Sequence, residues 1–288
     1  MALIIGVHGI AQQQLGRQQL AAVWGPSLAD GVEAALSGRH VGTLPLDLAY
    51  YGRLFLDMTG PAGAGSKGAQ PRDELAGLAE DELDDLLDAA AEIVGAEALR
   101  VAEAQTPKSL MRSPRAVQLV FRAVDWRYGP GAALLFVGVF KQVRLYLRDA
   151  RLKAAIDSIV DAAMAKETKV LVGHSLGSVV AFEYVRQHPE HRLALLVTLG
   201  SPLGARFVRA LMPDPNLGAD GLPPGVDAWV NVRDPRDPVA FAGDLARRWQ
   251  QIQDLLVDNG NDAHAASRYL GKRQTGAAVL AALPELAP

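Results

Sequence analysis

The stretch from Lys169 to Val185 constrains the fold of this chain more than any other. Lys169-Val170-Leu171-Val172 is an apolar run of strand length, and Val179-Val180-Ala181-Phe182-Glu183-Tyr184-Val185 reads as a buried helix. Between them, Gly173-His174-Ser175-Leu176-Gly177 forms the turn. A strand that enters a helix this abruptly needs a sharp turn, and a glycine two residues to either side of the serine removes side chains that would collide there. A buried strand leading straight into a helix is the repeating unit of a parallel sheet, because parallel neighbours are joined by crossovers.

The rest of the chain repeats the unit. Strand patterns cover Leu3 to His8, Leu44 to Tyr51, Lys169 to Val172, Leu193 to Leu199 and Ala228 to Val232. Helical spacing of apolar residues covers Gln18 to Leu36, Leu152 to Ala165, Val179 to Gln187 and Phe241 to Val257. The expected class is α/β, with a small, mostly parallel sheet of five strands flanked by helices and joined by right-handed crossovers.

The alternation stops between Asp57 and Ala150, where no strand pattern occurs. Residues 57–150 are therefore read as a helical cap, or lid, inserted between core segments 1–56 and 151–288. The insertion opens with Gly60-Pro61-Ala62-Gly63-Ala64-Gly65-Ser66-Lys67-Gly68, a loop composition. An acidic helix follows, with Leu75, Leu78, Leu83, Leu86 and Leu87 on one stripe. Asp81, Glu82, Asp84 and Asp85 lie off that stripe and read as a solvated face. Ala132 to Leu147 is too apolar for an exposed helix; it either lines a cleft or packs the cap onto the sheet.

Composition narrows the chemistry. The 288 residues are 49% hydrophobic and 21% charged, enough to bury a full core, and the net charge of -3 offers no basic surplus for nucleic acid. With no cysteine there is no disulfide, no thiolate nucleophile and no cysteine-ligated metal. His188-Pro189-Glu190-His191 lacks a nearby third ligand, and Ser66-Lys67 inverts the order a phosphate-binding loop requires. No metal and no cofactor are expected. Arg247-Arg248 reads as a solvated basic doublet. The run Met1 to Gly9 has no cationic flank and reads as a strand rather than a secretory leader. Gly131 to Phe140, the longest apolar stretch, falls short of the about 20 residues of a membrane span. A cytoplasmic setting is expected, and the oligomeric state is unknown at this level.

A serine hydroxyl becomes a nucleophile when a histidine takes its proton and a carboxylate orients that histidine. This turn resembles the nucleophile turn of the α/β-hydrolase fold, and that resemblance implies that the acid and then the histidine follow in the chain. His8 and His40 precede Ser175, His174 is its neighbour, and His188 and His191 end the same helix. His264 remains, in the turn-rich loop Asn259-Gly260-Asn261-Asp262-Ala263-His264. The acid belongs in Arg233-Asp234-Pro235-Arg236-Asp237-Pro238-Val239. Asp237 is favoured over Asp234, which sits close enough to the strand to pair with Arg233 or Arg236 instead. The oxyanion donors are the backbone N–H groups of Leu176 and Ile10, with Gly9 letting the first loop approach and His8 holding that loop by hydrogen bonds.

Together His8-Gly9, Gly173-His174-Ser175-Leu176-Gly177, Gly200-Ser201-Pro202, Asp237-Pro238-Val239 and His264 resemble the α/β-hydrolase superfamily, near its lipase and esterase branch. The resemblance covers the N-terminal strand and residues 169 to about 270, and it does not cover the cap. It departs from the fuller family pattern in its short sheet. It implies acyl transfer to water through an acyl-enzyme, with Ser175, Asp237 and His264 as the triad. The expected function is hydrolysis of a carboxylic ester with a small-molecule or lipid acyl part. An acyltransferase or thioesterase using the same residues, or a non-catalytic binding protein with this fold, are the alternatives.

Overall fold

The computed structural model describes residues 2–9, 15–55, 80–95, 115–214 and 221–288. Six strands form one sheet: β1 (Ile4–Val7), β2 (Leu46–Ala49), β3 (Val170–His174), β4 (Leu195–Leu199), β5 (Trp229–Arg233) and β6 (Gln253–Leu256). Their order is β2-β1-β3-β4-β5-β6 and every pairing is parallel. A sheet of this kind is covered on both faces, which explains why β1, β3 and β4 are buried at every residue. Val170 and Val172 point to one side with Ile4, Val197 and Val230, where α1 (Arg17–Ala35) packs through Leu20, Trp24 and Leu28. Leu171 points to the other with Ile5 and Leu196, where α6 (Leu176–Gln187) contributes Val179, Phe182 and Val185.

The sheet has one strand more than the sequence pattern implies, and the expected helix from Phe241 to Val257 is not formed. That stretch holds only a 3-10 turn at Leu245–Arg247 and then β6. Its apolar spacing is helical, but Gln251 adopts φ 68° and Gly243 φ 77°, and both conformations interrupt a helix. The strand state wins through pairing with β5. Asn231 Nδ2 donates to Asp254 Oδ1 at 2.6 Å and Arg233 Nε donates to Oδ2 at 2.5 Å, a cross-strand clamp that no local pattern records.

Within 57–150, the described residues are helical: α2 (Glu80–Val94), α3 (Arg115–Tyr128) and α4 (Ala132–Arg148), followed by α5 (Ala150–Ala163). Phe136, Phe140, Val143 and Tyr146 of α4 are buried in the same core as Leu171 and Phe182. Most of the apolar side chains of α4 are thus buried in this core, while Leu134 is exposed. The Gly60 to Gly68 loop and the leucines at 75 and 78 lie outside the described residues. The acidic run of α2 is more than a solvated face. Arg144 of α4 reaches Asp85 at 3.2 Å, Glu82 at 3.4 Å and Asp81, tying the two helices together. Arg248, expected to be solvated, likewise reaches Glu92 of α2 at 3.2 Å. Among the described residues no helix is long and apolar enough to cross a membrane.

Chain order fixes where a site belongs. β1 has β2 on one side and β3 on the other, and the helices that follow β1 and β3 lie on opposite faces, so the sheet has its switch point there, the edge at which open parallel sheets bind ligands. Ser175 follows β3 at that edge, and His8-Gly9 follows β1.

Candidate active site

The turn after β3 bends as its sequence requires. Ser175 adopts φ 55° and ψ -127°, a conformation costing about 1–3 kcal/mol for a residue with a side chain, so its surroundings must hold it. Its N–H donates to the Leu199 carbonyl at 3.0 Å, and its carbonyl accepts from the Ser178 N–H at 3.0 Å and the Ser178 hydroxyl at 2.5 Å. Ser178 is bonded in turn to the Ser201 hydroxyl at 2.7 Å. Gly173 and Gly177 are required by close approach. A Cβ at Gly177 would stand 2.0 Å from the Val7 carbonyl oxygen, and one at Gly173 would stand 2.6 Å from the Gly177 oxygen.

Three residues far apart in the chain meet at this turn. The loop after β5 delivers Asp237, and a second loop after β6 delivers His264. His264 Nδ1 lies 2.8 Å from Asp237 Oδ2 and 3.0 Å from Oδ1. A carboxylate accepts, so Nδ1 carries the proton, and Nε2 is left to accept from the Ser175 hydroxyl at 3.0 Å. Ser175 and Asp237 have no exposed surface, and 11% of the His264 side chain is exposed. Asp237 is fully used: Oδ1 also accepts from the Val239 N–H at 2.8 Å, and Oδ2 from the Tyr269 hydroxyl at 2.7 Å. Hydrogen bonds to a charged acceptor contribute about 1.5–3 kcal/mol each, which offsets the cost of burying this carboxylate.

Asp234 does something else. It accepts from the Asn259 N–H at 2.5 Å and the Arg236 N–H at 2.8 Å, and pairs with the Arg236 guanidinium at 3.1 Å. Burial raises the cost of its charge, but the Arg236 side chain and these backbone donors outweigh it, and the carboxyl is held below its ordinary range. Asp234 thereby anchors the start of the loop that carries His264. Arg233 pairs with Asp254 rather than with Asp234.

Leu176 is the first residue of α6, so its N–H belongs to the first turn and has no intrahelical acceptor. It lies directly after Ser175, where an oxyanion would form. Ile10 lies outside the described residues. His8 is a staple: Nδ1 donates to the Gly9 carbonyl at 2.8 Å and Nε2 accepts from the Tyr51 N–H at 3.2 Å, while the Tyr51 hydroxyl donates back to the His8 carbonyl. Burial of the ring pushes its pKa down to about 4, against the opposing effect of the bond to the Gly9 carbonyl. Gly9 approaches the turn closely; a Cβ there would stand 2.6 Å from that of Ser175.

Tyr269 and Asn259 have no signature in the sequence pattern. Tyr269 is buried on the short helix Ala266–Leu270, donates to Asp237 and accepts from the Asp234 N–H at 2.9 Å. Burial first, and then the Asp237 charge, push its hydroxyl pKa up, so it stays a donor. Asn259 Nδ2 donates to the Ala263 carbonyl at 2.9 Å. Among the described residues no group of three or more His, Asp or Glu side chains is placed to hold a metal ion. No protein-family model matches this chain, and no curated protein or solved structure matches it.

Proposed function

We propose that the chain is a serine hydrolase of the α/β-hydrolase type that cleaves a carboxylic ester through an acyl-enzyme on Ser175. The observation that carries this reading is the chain of contacts from Ser175 Oγ to His264 Nε2 at 3.0 Å and from His264 Nδ1 to Asp237 at 2.8 Å. The strained, buried turn and the place of the Leu176 N–H at the start of α6, where it has no intrahelical acceptor, add to it.

Ser175 Oγ attacks the acyl carbon while His264 Nε2 takes its proton, and Asp237 stabilises the imidazolium that forms. Negative charge gathers on the former carbonyl oxygen, facing the Leu176 N–H; Ile10 would supply the second donor. As the C–O bond breaks, Nε2 returns the proton to the departing alkoxide, and the alcohol leaves. Water then gives its proton to Nε2 and attacks the acyl carbon, and the carboxylic acid departs as Ser175 is reprotonated. In this reading α2, α3 and α4 belong to a cap, inserted at 57–150, that limits the acyl group.

The test is turnover of p-nitrophenyl esters of increasing acyl length. Wild type should show a length optimum set by the pocket, and Ser175→Ala should lose at least about 10⁴-fold in kcat. Equal turnover by Ser175→Ala would overturn the reading.

A further inference from the structure

His174 lies between Gly173 and the nucleophile, where the turn needs no histidine for steric reasons. Its ring is buried and packs against the ring of His264, with centroids 4.7 Å apart, and more distantly against Tyr269 at 6.1 Å. Its Nε2 lies 2.8 Å from the backbone carbonyl oxygen of His264. A carbonyl oxygen only accepts, so Nε2 carries the proton; Nδ1 is buried with no hydrogen-bond partner. This single contact is what the buried ring contributes in hydrogen bonding.

The contact addresses a geometric problem. His264 reaches the site by a long path, from β5 through β6 and a turn-rich loop, and small errors along that path add up at the imidazole. Two successive carbonyls near its end are pinned by buried side chains, Ala263 by Asn259 Nδ2 at 2.9 Å and His264 by His174 Nε2. The His174 pin is the shorter route, because its backbone is bonded directly to that of Ser175. We infer that His174 is the positioning residue that sets His264 against Ser175, by holding the backbone of the base from the residue next to the nucleophile. This rests on the reading of Ser175 and His264 as nucleophile and base.

The groups facing His174 are His264, His8, Tyr269 and the Ser175 turn. Burial, and then the neighbouring His264, push its pKa well below the usual histidine value, against the opposing effect of the carbonyl bond. It therefore stays neutral while His264 accepts a proton, and it does not compete for that proton.

The experiment compares His174→Gln, His174→Met and His174→Asn, using kcat and KM for p-nitrophenyl butyrate and the rate of fluorophosphonate inactivation. Glutamine places an amide N–H near the Nε2 position. Methionine has similar length with no donor, and asparagine carries its donor only as far as Nδ1. Rates are expressed per site labelled at completion, with thermal melting run alongside, so loss of folded protein does not enter. Misplacement of a reacting group by about 1 Å costs on the order of 10²-fold. The Met and Asn variants should lose roughly 10- to 100-fold in kcat with KM near wild type, and inactivation should slow in parallel. The Gln variant should recover to within about threefold of wild type, on the same argument. If only one of Met and Asn folds, its comparison with Gln carries the result. Equal kcat in wild type and the donor-lacking variant, or a Gln variant as slow as Met, overturns the role of His174. Folded wild type that neither turns over ester nor reacts overturns the parent reading, and this inference with it.

Discussion

The two loops bordering Ser175 are held by opposite electrostatic means. The loop after β1 is fastened by a neutral group, His8, buried and bonded to Gly9 and Tyr51. The loop after β5 is fastened by a carboxylate, Asp234, which gathers the Asn259 and Arg236 N–H groups around a full charge. The difference shows which protonation event loosens each side. Both groups are held below their ordinary pKa in the fold, so each contribution fades as the unfolded chain takes up the proton first: for His8 as pH falls from 6.5 toward 4, and for Asp234 only once pH falls below the ordinary carboxyl value of 3.8. The β1 side gives way at milder acidity than the β5 side.

The largest effect that would break this comparison lies at the second aspartate of the β5 loop. Asp237→Asn places an amide opposite His264 Nδ1, which favours the tautomer with its proton on Nε2 and, on the proposed mechanism, leaves Ser175 without its base. Kcat should fall by about 10⁴-fold at neutral pH with little change in melting temperature. A drop of less than tenfold would mean that Asp237 only braces the loop.

Next comes the pH dependence of the β1 side. His8 in the folded protein titrates near 4, below its ordinary value of 6.5. The unfolded chain therefore binds more protons between these values, so the contribution is complete above pH 6.5 and is lost as pH falls toward 4. The shift corresponds to about 3 kcal/mol. Denaturant titrations at pH 7.5 and 4.5 should show His8→Gln losing less stability over that interval than wild type by about this amount. Equal losses would show that His8 is no staple.

On the β5 side, Asp234→Asn should cost about 2 kcal/mol of stability, because the Asn259 N–H loses a charged acceptor. Activity per folded molecule should fall much less than in Asp237→Asn. A loss of turnover as large as that of Asp237→Asn would reassign the acid. The smallest effect belongs to neither loop. Arg144→Ala removes the clamp between α2 and α4 and should cost about 1 kcal/mol, less at high salt, read by melting at two ionic strengths.

What the sequence made legible follows the range of the interactions. The β3 turn and its helix are encoded within 17 residues, and β1, β2, β4 and β5 announce themselves as apolar runs. His264 is legible because the chain order implied by the resemblance to α/β-hydrolases leaves no other histidine, and Asp237 because Asp234 stands near an arginine that takes it. β6 was not legible: its spacing is helical, and only pairing with β5 through Asp254 makes it a strand. The roles of Tyr269, Asn259 and His174 depend on hydrogen bonds formed after the loops have met, and the Arg144 clamp joins residues about 60 positions apart. No local period carries such information.

The account turns on whether Ser175 is an activated nucleophile, and reaction with a fluorophosphonate probe at neutral pH, followed by peptide mapping, tests that most directly. Wild type should be labelled stoichiometrically on Ser175 and Ser175→Ala should not be labelled at all. Folded wild-type protein that stays unlabelled, or carries the label on another residue, would contradict it.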